Sequence, residues 1–301
     1  MEKVWIIVNP SSGSEEALDF VGQLLKSYVN EFDEVVIRQT KGAGDATEFA
    51  QEAAAAQADM LFIMGGDGTV NEGINGLMQV EKSERPLLAI LPLGTTNNLA
   101  RILNYPMNVE QVIENFETAE KINIDVATVN GEYFVSTLSG GSVPESVQET
   151  DDDMKATFGS IAYFVEGLRA LNNEKIVDYR LTFDGEEQTE ALSMFIVGNS
   201  DMIFGLPDFF SDAKVNDGKL HFMGLKETTS VEKSSLIPEL LMDDEENSEH
   251  LFVTSFKKAT VEVDEPEEHA ITVDGETGPT YPLEIEVFPE EITMLYFTEE
   301  A

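Results

Sequence analysis

The chain has 301 residues, 42% hydrophobic and 9% aromatic, which is enough apolar material for one large core or two smaller ones. Fifty-eight acidic against eighteen basic residues give a formal charge of −40, which argues against a nucleic-acid partner and against simple adsorption to anionic lipid. Cysteine is absent, excluding disulfides and thiolate-bound zinc, and His221, His250 and His269 are too scattered for a histidine metal centre.

The first apolar run, Val4 to Val8, is shorter than a signal-peptide core and stops at Asn9-Pro10, and no run approaches the length of a membrane span. A cytoplasmic chain is therefore expected. The run reads as a strand, followed by Asn9-Pro10-Ser11-Ser12-Gly13 and a helix from about Glu15 to Tyr28 with Leu18, Val21, Leu24, Leu25 and Tyr28 on one face. Glu34 to Arg38 is a second strand, which leads through Thr40-Lys-Gly-Ala-Gly44 into an alanine-rich helix over Asp45 to Gln57. Met60 to Met64 is a third strand, apolar throughout as a central parallel strand must be. It runs into Gly65-Gly66-Asp67-Gly68-Thr69, where a helical pattern opens with Val70, Ile74, Leu77 and Met78 on one face. A fourth strand, Leu87 to Leu91, precedes Pro92-Leu-Gly94-Thr95-Thr96-Asn97-Asn98 and a helix from about Leu99. Four such alternations predict a parallel sheet with helices on both faces, whose loops after the strands bind ligand.

Strand, glycine-rich turn and helix together make a phosphate cradle, because glycines let backbone N–H groups close on an anion and the helix start adds its unpaired donors. Asp67 is the unusual member. A carboxylate repels phosphate unless a divalent cation lies between them, so the loop points to a magnesium nucleotide; the plainer alternative is a connection with an Asp helix cap.

From about Lys121 the pattern changes to short strands: Ile122–Val129, Tyr133–Thr137, Tyr179–Phe183, Leu192–Val197, Lys219–Met223, Phe256–Val263, Ala270–Val273, Leu283–Phe288 and Thr293–Phe297. Asn130-Gly131, Asp184-Gly185, Asp217-Gly218 and Asp274-Gly275 read as turns, with helices near Gly159–Leu171 and Val231–Met242. We expect an α/β nucleotide domain over residues 1–122, a mainly β domain over 123–289, a last strand in 290–301 returning to the first, and an active site in a cleft between the two.

Asn9-Pro-Ser-Ser-Gly13, Thr40-Lys-Gly-Ala-Gly-Asp-Ala46, Gly65-Gly-Asp-Gly-Thr69, Pro92-Leu-Gly-Thr-Thr-Asn-Asn98-Leu-Ala-Arg101 and Asp274-Gly-Glu276, in this order, resemble the diacylglycerol kinase catalytic-domain family in its soluble bacterial lipid kinase branch. That resemblance implies an N-terminal domain related to those of NAD kinases and 6-phosphofructokinases, a C-terminal β-sandwich, a homodimer, transient contact with a membrane surface, and magnesium- and ATP-dependent phosphorylation of a lipid hydroxyl, diacylglycerol before others. It places Asn9, Pro10, Ser11, Ser12, Gly13, Thr40, Gly65, Gly66, Asp67, Gly68, Thr69, Val70, Asn71, Glu72, Gly94, Thr95 and Arg101 at the nucleotide, with Arg101 equally readable as a surface residue. Without a Walker lysine, backbone donors, hydroxyls and magnesium must meet the phosphate charge.

Glu276 matches the family's proposed general base, with Asp67 the second catalytic residue; without the family, Asp274-Gly275-Glu276 is a turn followed by a solvent-facing glutamate. Asp217, with backbone carbonyls of Lys214 and Lys219, matches a separate magnesium site, and is otherwise an Asp-Gly turn. Asp125 resembles a member of an acidic network, or caps a strand end. The departure is Asn98, where the family has Asp. Phe204-Gly-Leu-Pro-Asp-Phe209-Phe210 is apolar enough to border an acyl-chain groove or to pack in the core. NAD kinase and a nucleotide-binding regulator without catalysis stand as alternative functions.

Overall fold

The computed structural model describes residues 3–12, 17–28, 32–141, 175–203, 207, 209–210, 212–228, 248–266 and 269–298. The chain divides into two units, Met1–Val126 with Glu290–Ala301, and Ala127–Pro289. Gly13, Phe204 and the two helices expected near 159–171 and 231–242 lie outside the described residues.

The first unit alternates strand and helix: β1 (Lys3–Val8), α1 (Ala17–Ser27), β2 (Glu34–Gln39), α2 (Asp45–Ala55), β3 (Met60–Gly65), α3 (Asp67–Met78), β4 (Leu87–Pro92), α4 (Asn98–Ile102) and α5 (Val109–Glu114), before β5 (Glu120–Val129). β1 pairs in parallel with both β2 and β3, and β3 with β4. The order β2-β1-β3-β4 therefore reverses direction at β1, and the crevice beyond the carboxyl ends of β1 and β3 is the topological switch point where such sheets bind ligand. β3 is buried along its whole length, as its unbroken apolar sequence requires. α2 and α3 approach so closely that a side chain on Gly76 would meet the carbonyl oxygen of Thr47 at 2.3 Å. Helix α5 escapes the periodicity reading because it has six residues, yet Asn108 Oδ1 accepts from the Glu110 and Gln111 N–H groups, a capping signal present in the sequence.

The second unit is antiparallel: β6 (Glu132–Phe134), β7 (Thr137–Gly141), β8 (Val177–Phe183), β9 (Glu186–Gly198), β10 (Leu220–Lys226), β11 (Leu251–Phe256), β12 (Lys258–Val263), β13 (Ile271–Val273), β14 (Glu276–Thr277) and the first part of β15 (Leu283–Tyr296). Tyr179, Phe195, Phe222, Phe256 and Tyr281 lie in its core. Asn130-Gly131, Asp184-Gly185 and Asp274-Gly275 all have φ positive at both residues, the signature of the type I′ hairpin turn.

Two readings are corrected and one open alternative is resolved. Phe256–Val263 is two strands, β11 and β12, parted at Lys257, whose N–H turns to Asp184 Oδ1 at 3.0 Å. Leu283–Phe288 and Thr293–Phe297 are one strand, β15, which passes through Pro289 and takes a positive φ of 54° at Glu290. Phe209 and Phe210 are 1% and 3% exposed, which favours the core alternative for these two residues over the acyl-groove one.

Candidate nucleotide and catalytic site

The loops after β1, β2, β3 and β4 are laced together by their own backbones. Asn9 N–H donates to Met64 O at 2.9 Å, Thr40 N–H to Val8 O at 2.9 Å, and Leu93 N–H to Gly65 O at 2.9 Å. Asn9 joins two of the loops through its side chain: Nδ2 donates to Thr69 Oγ1 at 2.8 Å, while Oδ1 accepts the Ser11 N–H at 3.0 Å. Thr69 is thus held against the carboxyl end of β1, and Pro10 and Ser11 stay exposed beside it. Thr40 is 8% exposed, and its hydroxyl lies on Val8 O at 3.5 Å.

Two glycines decide the approach of the loops. A Cβ on Gly66 would stand 3.1 Å from Gly94 Cα, and one on Gly94 would stand 2.6 Å from Gly66 Cα and 2.7 Å from Asn97 Oδ1. Backbone meets backbone, so a methyl on Gly94 forces a shift and one on Gly66 crowds the same contact. Asn97, left-handed at φ 51°, closes the second loop by accepting Gly94 N–H at 2.9 Å and donating to Gly94 O at 2.7 Å. Gly66, at the N-cap of the twelve-residue α3, supplies no side-chain acceptor, so the first-turn donors of Gly68 and Thr69 are available to an anion.

Asp67 does not point idly at this cradle. Its Oδ1 accepts the Asn98 N–H at 2.6 Å, at the start of α4. Burial pushes its carboxyl above the usual carboxylate range, against the lowering effect of the N–H groups of Asn98, Asn97, Leu99 and Asp67 itself. Beside it Asn98 is 8% exposed, and its buried Oδ1 has no hydrogen-bond partner. A carboxylate and a buried amide oxygen on adjoining loops are hard donors, and they fit a magnesium ion.

Other expected residues have different work. Val70 is buried, and its N–H donates to Gly66 O at 3.1 Å. Asn71 Oδ1 accepts from Asn75 Nδ2 at 3.0 Å. Glu72 faces α2, where its carboxylate receives the Gly44 N–H at 2.9 Å and the Ala46 N–H at 3.2 Å, and so fixes the loop that carries Thr40. Gly65 is buried and sits under Thr69, whose Cβ would be 2.7 Å from an added methyl. Thr95 is exposed, and Arg101 Nε donates to Thr96 O at 2.8 Å, which binds the guanidinium to the same loop. Asp125 is fully buried, and its Oδ1 accepts Glu290 N–H at 2.7 Å.

In the second unit Glu276 is exposed on β14. Asp217 lies in the loop before β10. Its carboxylate accepts the Lys214 N–H at 3.1 Å and the Lys219 N–H at 2.9 Å, and His221 Nε2 lies 2.9 Å from its Oδ2. Burial pushes this carboxyl up, but the His221 contact and the Lys214 N–H, then the charge of His221 and the Lys219 N–H, outweigh it and hold it below the usual range. Magnesium demands oxygen ligands at about 2.0–2.1 Å in octahedral order. Three N–H donors already face this carboxylate, so the second magnesium ion that the resemblance implies would have to displace His221 or draw its other oxygens from backbone carbonyls. Among the described residues no group of three or more His, Asp or Glu side chains could hold a metal.

Residues 3–129 match the diacylglycerol kinase catalytic domain, and residues 137–296 match the YegS C-terminal NAD kinase beta sandwich-like domain. A diacylglycerol kinase of Bacillus subtilis (strain 168) is 31% identical over 287 residues, spanning 94% of this chain and 92% of that protein. The chain belongs to the diacylglycerol kinase catalytic-domain family. A diacylglycerol kinase of Staphylococcus saprophyticus is 31% identical over 92% of this chain and 90% of its own length. A crystal structure described as a diacylglycerol kinase from Bacillus anthracis str. Sterne superposes with a TM-score of 0.80 at 30% identity, covering 99% of this chain and 98% of that one. The fold is thus that of the family: an α/β N-terminal domain and a β-sandwich-like C-terminal domain. Among the described residues no helix is long and apolar enough to cross a membrane.

Sequence reasoning missed Asp274. As sequence it reads as the first residue of a turn, but its carboxylate is buried and receives three backbone N–H groups. A left-handed Asp before Gly is common in hairpins, so nothing local separates this one from Asp184.

Proposed function

We propose that this member of the diacylglycerol kinase family transfers the γ-phosphate of ATP, with magnesium, to the hydroxyl of diacylglycerol, giving phosphatidic acid. The observation that carries the reading is the cradle at the switch point, where Gly66 and Gly94 let two loops touch and the uncapped start of α3 offers N–H donors beside Asp67. Phosphate binds the first-turn amides, and the Thr69 hydroxyl is oriented by Asn9. Magnesium bound by Asp67 and Asn98 would neutralise charge on the transferring phosphoryl group. Glu276, by its match to the family motif, accepts the proton of the attacking hydroxyl. The membrane contact is transient, because the protein carries a formal charge of −40 and anionic lipid repels it.

The test is transfer of γ-labelled phosphate from ATP to a panel of lipids in mixed micelles, with NAD as a further acceptor and Asp67→Ala and Glu276→Gln as controls. Labelled phosphatidic acid, lost in both variants, is the expected result. Label on NAD alone makes the chain an NAD kinase, and ATP binding without any labelled product makes it a non-catalytic regulator.

A further inference from the structure

The hairpin that carries Glu276 is secured by a side chain that takes no part in the chemistry proposed above. β14 has two residues and stands at the end of the strand order, paired with β13 through Val273 and Glu276. An edge strand this short holds its own position poorly. The turn before it is fastened from behind. Asp274, 9% exposed, accepts the N–H groups of Ser136 at 2.9 Å and Thr137 at 2.8 Å on Oδ1, and that of Val135 at 3.0 Å on Oδ2. Its own N–H donates to Thr137 O at 2.8 Å. The pairing of β13 with β7, which ends at Val273 opposite Leu138, is therefore prolonged by a carboxylate that gathers three consecutive donors. Charge-assisted hydrogen bonds of this kind are about twice as strong as neutral ones, and they fix direction as well as distance.

We infer that Asp274 is the positioning residue for Glu276: it locks the β13–β14 turn to residues 135–137 so that the glutamate two residues on is presented in one orientation. The inference rests on the kinase reading of Glu276. Asparagine is nearly isosteric but offers one acceptor oxygen to three N–H groups, and its NH2 opposes a fellow donor. The turn then loosens while the strands remain.

The experiment compares wild type, Asp274→Asn, Glu276→Gln and the double variant for phosphoryl transfer to diacylglycerol, with amide hydrogen exchange at Val135, Ser136 and Thr137 and circular dichroism as a check on folding. Asp274→Ser, whose small hydroxyl fits the same space, replaces Asp274→Asn if that variant does not fold. The expected result is a kcat lowered at least about tenfold with KM for ATP within about twofold, faster exchange at the three amides, and a double variant no slower than Glu276→Gln alone, since one residue acts through the other. A double variant whose loss is the product of the two single losses overturns the positioning role while leaving the kinase reading intact. Unchanged exchange at the three amides also overturns it. No transfer by the wild-type chain overturns the kinase reading, and the positioning role with it.

Discussion

Asp67→Asn separates what the carboxylate does for function from what it costs the fold. In the folded chain Asp67 is largely buried, and burial raises its pKa despite the backbone donors that favour the ionised form. The sign follows from linkage. A carboxyl whose folded pKa lies above its unfolded value contributes most below the unfolded value, and that contribution is lost as pH rises through the folded value. At pH 7 the ionised group is therefore a net burden. A charge-assisted hydrogen bond from Asn98 N–H returns about 1.5–3 kcal/mol, and a neutral amide oxygen in its place keeps about 0.5–1.5 kcal/mol without the desolvated charge. Relief of the larger desolvation term leaves the variant more stable at pH 7, with a higher thermal midpoint. Scanning wild type and variant by circular dichroism at pH 7 and again below pH 4 tests this. The gain should shrink at the acid end, where Asp67 is protonated in both states, and phosphoryl transfer should fall by at least about a hundredfold at pH 7. A variant less stable than wild type at pH 7 would refute the reasoning, because the charge would then be holding α4 rather than burdening it.

Four further outcomes follow from the geometry. Gly94→Ala should weaken ATP binding by calorimetry at least tenfold and more than Gly66→Ala does, since its methyl would stand 2.6 Å from backbone against 3.1 Å. Glu72→Gln should lower the thermal midpoint by an amount equivalent to about 1 kcal/mol, the worth of a charged acceptor, while KM for ATP changes less than threefold. Asn98→Asp places a second carboxylate on the loop whose N–H meets Asp67, and the two like charges repel. That variant should be destabilised in chelator and regain more from magnesium than wild type, with kcat within about tenfold; a rise of several orders of magnitude would show that Asn98 cripples the natural chain. In manganese relaxation titrations His221→Ala should bind manganese more tightly than wild type, by clearing one donor from the carboxylate, and adding Asp217→Asn should remove that gain.

The α/β half was readable because its physics is local. A parallel strand covered on both faces must be apolar throughout, as Met60 to Met64 is, and a glycine such as Gly94 lets two backbones come together. The type I′ turns were equally plain, since φ is positive at both residues and Asn-Gly or Asp-Gly supplies that most cheaply. What escaped depends on partners far away in sequence. The break at Lys257 comes from Asp184, seventy-three residues earlier, and the continuity of β15 through Pro289 is helped by Asp125, which takes the Glu290 N–H. In the site, the loop residues were legible as a set, but their division of labour was not. That Glu72 faces α2, that Asp67 meets α4, that His221 sits on Asp217 and that Asp274 gathers three amides are facts of tertiary packing.

The parallel pairing of β15 with β4 joins Met294 to Leu88. On the ribosome this sets an order of events. β4 is synthesised about two hundred residues before the strand that covers its edge, and the whole stretch Ala127–Pro289 emerges in between. The second unit can therefore complete its own core while the first waits with one edge of an apolar strand uncovered, a period in which the nascent chain is most exposed to misassociation and most in need of a chaperone.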